Sequence, residues 1–283
     1  MRRVLGAGNH LLASRWTEAK VTVWRLLSWL RQRCLGGFAT AILAETPQGK
    51  FLVPSGDLMV GRHLSFRGAW GVDLLAILER HVSPEASVLI VGAHIGTMVV
   101  PLARQARRVV AIEPSAGTFS LLQANLWLNG LNNVDAHRIA AGSERRTVTI
   151  RSEPDNTGAA RASLDSAGDD PVEMFPLDQH LNERFSLVLI DVEGLEASVL
   201  KGMPRLLASA DTLVVEVIPN HLDHVAKLSL DGFFEAIPDR FTTFALISQP
   251  ERWLNRTQAK AACERLYRDG YTTGDDLIAS AVL

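Results

Sequence analysis

The chain has 283 residues, 29 Lys and Arg against 31 Asp and Glu, a net charge of −2, and two cysteines. Near-neutral charge excludes a nucleic-acid binder that works through bulk electrostatics. Cys34 and Cys263 are too few for a disulfide framework or a cysteine metal site, and they fit a reducing, cytoplasmic compartment. With 47% hydrophobic and 21% charged residues, the composition is that of a globular chain with a sizeable core.

The charge is unevenly placed. Residues 1–35 hold seven basic residues and one acid, Glu18, a surplus of six, which leaves −8 on the remainder. Trp16, Trp24 and Trp29 fall there too. On a helix, Trp16, Ala19, Val23, Leu26, Leu27 and Leu30 share one arc of roughly 100°, opposite Glu18, Arg25 and Gln32. No apolar run approaches the ~20 residues that span a bilayer, and no compact apolar stretch with a small-residue cleavage site marks a secretory signal. Residues 1–36 are expected to form a basic amphipathic helical extension to a domain over 37–283, whose core is 71–283. Three roles stay open for it: packing on the domain or on a second subunit, resting on an anionic membrane surface, or serving as a transit peptide.

From residue 37 the pattern changes. Ala39–Glu45 and Lys50–Val53 flank Thr46-Pro47-Gln48-Gly49 and read as a β-hairpin. A helix is predicted over 71–81, ending before Pro84. Ser87–Val91 is a continuous apolar run of the kind a buried parallel strand needs. A helix over 97–105 follows, then the strand Arg108–Ile112, a helix over 116–129, the strand Val134–Ile139 and a hairpin strand Thr147–Ile150. The segment 152–176, rich in Ser, Gly, Ala, Asp and Pro, lacks periodicity and reads as a long functional loop. Beyond it lie the strand Ser186–Ile190, a helix from Glu196, the strand Leu213–Val217, Phe241–Ser248, a helix over 257–268, and Asp276–Val282. Seven main strands, five of them separated by helices, predict an α/β, doubly wound, Rossmann-like sheet with an antiparallel finish.

Such sheets bind ligands beyond the carboxyl ends of their strands, at the switch point. Three features fall there: the turn Gly92-Ala93-His94-Ile95-Gly96, Glu113 at the end of the second strand, and Asp191-Val192-Glu193-Gly194 after the fourth. Gly92 permits a sharp turn, and Gly96 permits close approach of backbone and ligand. Glu113, 21 residues after Gly92, can accept hydrogen bonds from both hydroxyls of a ribose. Each feature alone has a plain structural alternative; together they favour an adenosine cofactor. His94 occupies the middle-glycine position of G-x-G-x-x-G, which a dinucleotide pyrophosphate requires. S-adenosylmethionine has no pyrophosphate and tolerates the substitution.

These motifs resemble the FkbM-type methyltransferases, whose pattern runs close to D-V-G-A-N-x-G, V-x-A-[FI]-E-P, N-x-x-x-N-G and K-[IV]-D-[VI]-E-G-x-E, then a strand ending in E. Here they stand as Ile90–Gly96, Val109–Pro114, Asn125–Gly130, Leu189–Glu196 and Leu213–Val217 with Glu216. Asn156-Thr157-Gly158 and Leu177-Asp178 resemble segments that the family places before its fourth strand. The resemblance covers 37–283, most strongly 87–218, and implies a class I methyltransferase fold binding S-adenosylmethionine. It implies a cofactor set of Gly92, Ala93, His94, Gly96, Glu113, Pro114 and Ala141, and transfer of a methyl group to a hydroxyl on a sugar or secondary metabolite. Three positions depart from the pattern: Ile90 replaces an acid, His94 an asparagine and Leu189 a lysine. These departures keep a second reading open, a methyltransferase-fold binding protein with weakened or no turnover. A nicotinamide-dependent oxidoreductase is a third, disfavoured by His94.

A hydroxyl nucleophile needs a base within hydrogen-bond reach. Asp191 is the first candidate, with a helix N-cap as its structural alternative. Glu193 is the second, and Glu216, His221 and His224 are more distant candidates. No H-x-x-x-H or H-x-E pattern occurs, and His63, His81, His137 and His180 have no ligand spacing, so no metal is expected.

Overall fold

The structure is a computed structural model that describes residues 23, 26, 30, 31, 33–36, 38–153, 156–163 and 170–281. Most of the expected extension over 1–36, including Trp16, Trp24 and Trp29, lies outside these residues. Among the described residues, no helix is long and apolar enough to cross a membrane.

The hairpin forms as expected, from β1 (Ala41–Thr46) and β2 (Gly49–Pro54). Helices α1 (Val60–Arg67) and α2 (Val72–Arg80) lead to the buried strand β3 (Ser87–Val91). The chain then alternates through α3 (Val99–Ala103), β4 (Arg108–Ile112), α4 (Ala116–Leu128) and β5 (Val134–His137). A separate small sheet follows, made of β6 (Ala140–Ala141), β7 (Arg146–Glu153), β8 (Asn156–Ser163) and β9 (Pro171–Phe175) in the order β6-β9-β7-β8. Helix α5 (Leu177–His180) returns the chain to β10 (Leu187–Ile190), α6 (Glu196–Lys201), α7 (Pro204–Leu207) and β11 (Thr212–Val217). The remainder is α8 (Pro219–His221), α9 (Leu230–Ala236), β12 (Thr243–Leu246), β13 (Gln249–Leu254), α10 (Arg256–Asp269) and β14 (Asp275–Ser280).

The main sheet has eight strands, in the order β13-β12-β14-β11-β10-β3-β4-β5, rather than the seven expected. The additional strand is β13, an antiparallel edge partner of β12. Its sequence, Gln249-Pro250-Glu251-Arg252-Trp253-Leu254, has no apolar alternation, because proline and charge are how an exposed edge avoids further pairing. The segment 152–176 also differs from expectation: β8 and β9 occupy much of it. Asn156–Ser163 is small and polar and takes its extended form from pairing with β7, opposite Thr149, Ile150 and Arg151. Residues 154, 155 and 164–169 of that segment lie outside the described residues.

Strands β5, β4, β3, β10 and β11 are mutually parallel, and both faces of the sheet are covered. Period-two alternation sends Leu89, Val91, Val188 and Ile190 into the core on one face. Val88, Ile90, Leu187 and Leu189 point into the core on the other. Each such side chain withdraws apolar surface worth about 1.5–3 kcal/mol, which is why these strands read as unbroken apolar runs. The N-x-x-x-N motif has a structural purpose here. Asn125 Oδ1 accepts from Leu52 N–H at 2.6 Å, and Asn129 Oδ1 accepts from Lys50 N–H at 3.0 Å. Their Nδ2 groups donate back to the Leu52 and Lys50 carbonyls at 3.3 and 2.7 Å. Two amides one helical turn apart thus pair with alternate residues of β2 and fasten the hairpin to α4.

Candidate active site

The sheet order reverses between β3 and β10, so the turns following these two strands meet. Gly92, with φ +89°, turns the chain there, and a Cβ on it would overlap the Asp191 carbonyl oxygen. Glycine is therefore required by backbone-to-backbone approach as well as by its dihedral. The Gly92 and Ala93 N–H groups both donate to the Ile112 carbonyl at 2.9 Å, which locks this turn to the end of β4. Gly96 behaves differently from expectation. It does not border the cavity at the turn, and a Cβ on it would press on Leu122 of α4 at 2.8 Å. Its φ of +95° and its approach to α4 both favour glycine there.

A cavity of about 660 Å³ opens over these turns, bordered by Gly92, Ala93, His94, Glu113, Pro114 and Ala141 of the expected cofactor set, and by Asp191 and Glu193. Glu113 and Glu216 also border it, from strands three sheet positions apart, roughly 14 Å at ~4.8 Å per strand. Glu113 is buried, its Oε2 accepting from His94 N–H at 2.8 Å and its Oε1 from Ser115 N–H at 2.9 Å. Burial nevertheless pushes its carboxyl up to about 7.

His94 sits in the left-handed region at φ +49°. Its Nε2 lies 3.0 Å from Thr157 Oγ1, and Thr157 donates both its hydroxyl and its N–H to Asp57 Oδ2, at 2.5 and 3.0 Å. Asp57 Oδ1 in turn accepts from Met59 and Gly61 N–H at 2.9 Å each. With the Thr157 proton committed to Asp57, the threonine oxygen accepts from His94, so Nε2 carries a proton. Burial pushes His94 down to about 4, which favours the neutral ring with that single proton.

Asp191 is not a helix cap. Helix α6 begins at Glu196 with Leu195 as N-cap, and the Glu196 carboxylate accepts from Val192 and Gly194 N–H at 3.2 and 2.9 Å. Asp191 is left facing the cavity, and burial pushes it up to about 6, with no hydrogen bond to oppose the shift. Glu193, at φ +56°, brings Oε2 to 3.5 Å from His221 Nε2 and 4.0 Å from Arg161 Nη2. Burial and Arg161 push His221 down to about 4. His224 stands apart, with Nε2 3.1 Å from the Tyr271 hydroxyl. The departures Ile90 and Leu189 are register partners on β3 and β10, both buried and both at the cavity. An acid and a lysine at these positions are replaced together by an apolar pair, so neither change leaves a buried unpaired charge.

Glu193, Glu216 and His221 bring one ligand atom each within 4.8 Å of one another, a grouping that the histidine spacing did not single out. Glu216 lies on β11 and His221 just beyond it in α8, while Glu193 follows β10, so the pairing of β10 with β11 brings the three together. Sequence reasoning did not single out Asp57, Trp70, Arg161 or Asp276, and it named Thr157 only within the N-T-G segment. Trp70 and Thr157 border the cavity, as does Asp276. Gln48 of the hairpin turn holds Trp70 at both backbone groups, N–H to Oε1 at 2.7 Å and Nε2 to the carbonyl at 2.8 Å. The hairpin turn and the N-T-G segment were visible in the sequence; their reach across the fold was not.

Comparisons with known proteins bear on this site. Three solved structures resemble the fold. A methyltransferase FkbM from Methylobacillus flagellatus KT is 18% identical with a TM-score of 0.45, over 70% of this chain and 44% of that one. An rRNA methylase from Streptococcus thermophilus is 12% identical with a TM-score of 0.43, over 80% of this chain and 99% of that one. A Pyrococcus abyssi tRNA (uracil-54, C5)-methyltransferase in complex with S-adenosyl-L-homocysteine is 12% identical with a TM-score of 0.43, over 86% and 44%. The chain thus spans 44% of the length of the M. flagellatus protein. Curated protein sequences give no match. Family membership rests instead on the sequence model of the methyltransferase FkbM domain, which matches residues 91–252. That match takes in more than half of the chain and every turn that borders the cavity beyond β3, and the chain belongs to the FkbM methyltransferase domain family.

Proposed function

We propose that the protein is an S-adenosylmethionine-dependent methyltransferase acting on a hydroxyl of a small molecule or glycan. The observation that carries this reading is the placement of two carboxylates, buried Glu113 after β4 and Asp191 after β10, around one cavity on either side of the turn that follows β3. Glu113 spends one lone pair of each oxygen on a backbone N–H and retains acceptor capacity for the two hydroxyls of a ribose. The His94 side chain, tied to Thr157, stands where a dinucleotide would need glycine, which weighs against a nicotinamide cofactor. The residues therefore fit adenosine without pyrophosphate. The cofactor, when bound, supplies an electrophilic methyl group.

The remaining chemistry belongs to the chain. Asp191, pushed up towards neutrality, is suited to take the proton of an acceptor hydroxyl near pH 7. Apolar Ile90 and Leu189 exclude water from the floor of the cavity, and alignment of donor and acceptor there supplies most of the acceleration of an in-line displacement. Trp70, with its ring edge-on to His63 at 5.2 Å between centroids, offers an apolar surface on which a sugar can rest. The proposal includes a cytoplasmic enzyme of residues 37–283 preceded by a segment that contacts a membrane surface or a second subunit, and no nucleic-acid partner.

Calorimetry with S-adenosylhomocysteine and NAD tests the reading. Saturable binding of the first with none of the second is expected. Folded protein that binds no sulfur ligand would overturn it, and the same fold without turnover is the reading then favoured by Ile90 and Leu189.

A further inference from the structure

The geometry points to Asp57 and Thr157 as positioning residues that hold the His94 ring with its Nδ1 lone pair offered to the ammonium group at the amino-acid end of the bound cofactor. Asp57 is fully buried, and four donors converge on it. Oδ1 takes the Met59 and Gly61 N–H groups, and Oδ2 takes the Thr157 N–H and hydroxyl. It is acceptor-only at all four contacts, as an ionised carboxylate is, so the hydrogen in its 2.5 Å contact with Thr157 Oγ1 comes from the threonine. The Thr157 oxygen is then left to accept from the ring, and the 3.0 Å contact puts the proton on His94 Nε2.

A neutral imidazole carries one proton, so the lone pair falls to Nδ1. That atom has no partner among the described residues, and it is not sealed in the interior as the orphan nitrogens of His137 and His221 are. His94 borders the cavity, and its N–H is spent on Glu113 Oε2, so the ring and the ribose acceptor are tied to one residue. With the ribose at Glu113 and the reacting hydroxyl at Asp191, the sulfur of the cofactor lies over the turn between them, which is the turn that carries His94. The amino-acid chain branches from that sulfur, which brings its ammonium within reach of the ring. A lone pair accepts from a charged donor more strongly than from a neutral one, and it repels the carboxylate of the same chain.

This inference deepens the methyl-transfer reading and rests on it for the identity of the ligand. Thr157→Val removes the hydroxyl at nearly constant shape and leaves the Nε2 proton without an acceptor. The neutral ring then favours the other tautomer, with its proton on Nδ1. An N–H in place of a lone pair opposes an ammonium, so the loss falls on the amino-acid end of the cofactor and spares the adenosine.

The test uses the full chain labelled with ¹⁵N. Long-range proton–nitrogen correlation spectra read the tautomer of each imidazole, and the His94 signals are identified by their loss in His94→Asn. Wild type is expected to carry the His94 proton on Nε2, Thr157→Ser to keep it there and Thr157→Val to move it to Nδ1. Affinity for S-adenosylhomocysteine should fall about tenfold in Thr157→Val and return in Thr157→Ser. Methylthioadenosine, which keeps the adenosine and lacks the amino-acid end, should bind all three proteins equally. Thermal melts on the same samples report folding, and the wild-type spectrum needs no variant. A wild-type ring with its proton on Nδ1, or an unchanged tautomer in folded Thr157→Val, overturns the positioning role. Equal losses for the two ligands, or none for S-adenosylhomocysteine, overturn the ammonium contact. Wild-type protein that binds neither ligand would remove the methyl-transfer reading and the ammonium with it, while the tautomer still decides whether Asp57 and Thr157 set the ring.

Discussion

Glu216 on β11 and Asp276 on β14 are direct register partners in the antiparallel pair that joins the two halves of the main sheet. Like charges facing each other across a sheet destabilise it, and here both groups also border a cavity. Burial first, then Asp191 and Asp275, pushes Asp276 from its ordinary 3.8 up to about 7. A carboxyl whose folded value is raised holds its proton better in the native state. Its favourable contribution is complete below about pH 4 and disappears as pH rises through 7. Asp276→Asn is expected to gain on the order of 1–3 kcal/mol at pH 8 and little at pH 4. Urea denaturation at the two pH values checks this, and equal midpoints for both proteins at pH 8 would sink it.

Glu113 carries the same sign with a different consequence. Its folded value of about 7 lies above its ordinary 4.5, and the ionised form is the stronger acceptor for ribose hydroxyls. S-adenosylhomocysteine affinity should therefore rise between pH 5.5 and pH 8, as the carboxyl ionises. Glu113→Gln should weaken binding by about 1–3 kcal/mol at pH 8, roughly 5- to 150-fold, and flatten the pH profile. Calorimetric titration at both pH values distinguishes this from general damage, which would leave the slope unchanged.

Asp191 should separate turnover from binding. Because Glu196 and not Asp191 supports the turn after β10, Asp191→Asn removes a proton acceptor without removing a cap. Transfer of a labelled methyl group to acceptors in a cell extract is expected to fall 10²-fold or more, on the order of a lost general base. Affinity for S-adenosylhomocysteine should stay within a factor of a few. A variant that retains half its turnover would assign proton removal elsewhere, with Glu193 next in place.

The parallel core was legible because each buried strand must be apolar on both faces, so Ser87–Val91, Arg108–Ile112 and Leu187–Ile190 announce themselves. Gly92, Glu113 and Asp191 were legible for a related reason: strand ends at a switch point are fixed by the order of the strands. What escaped was held by pairing or by long reach. Strand β8 has no pattern of its own and exists through β7. Asp57 meets Thr157 across 100 residues, and Arg161 meets His221 across 60, so no window of sequence contains either pair. A small residue in a turn looks the same in sequence whether it admits a ligand or a leucine, so Gly96 alone does not announce its contact with Leu122.

Asn125 offers the sharpest test of how the hairpin is held. It is fully buried, and its side chain joins Leu52 N–H and carbonyl to the Ile95 carbonyl, the last at 2.9 Å. Asn125→Ala leaves all three backbone groups short of a partner in a space that the hairpin closes to water, at a cost of about 2–4 kcal/mol. Asn129, on the exposed side, also serves Lys50, so its loss should cost less, about 1 kcal/mol. The effect should also be local. Because Gln48 in the hairpin turn holds Trp70 at the cavity wall, a loosened hairpin frees that wall before it unfolds the sheet. Hydrogen exchange should accelerate over residues 49–54 and around Trp70 in Asn125→Ala, while β3 and β4 keep their protection. Uniform acceleration across the sheet would instead make the hairpin part of one cooperative unit with the core.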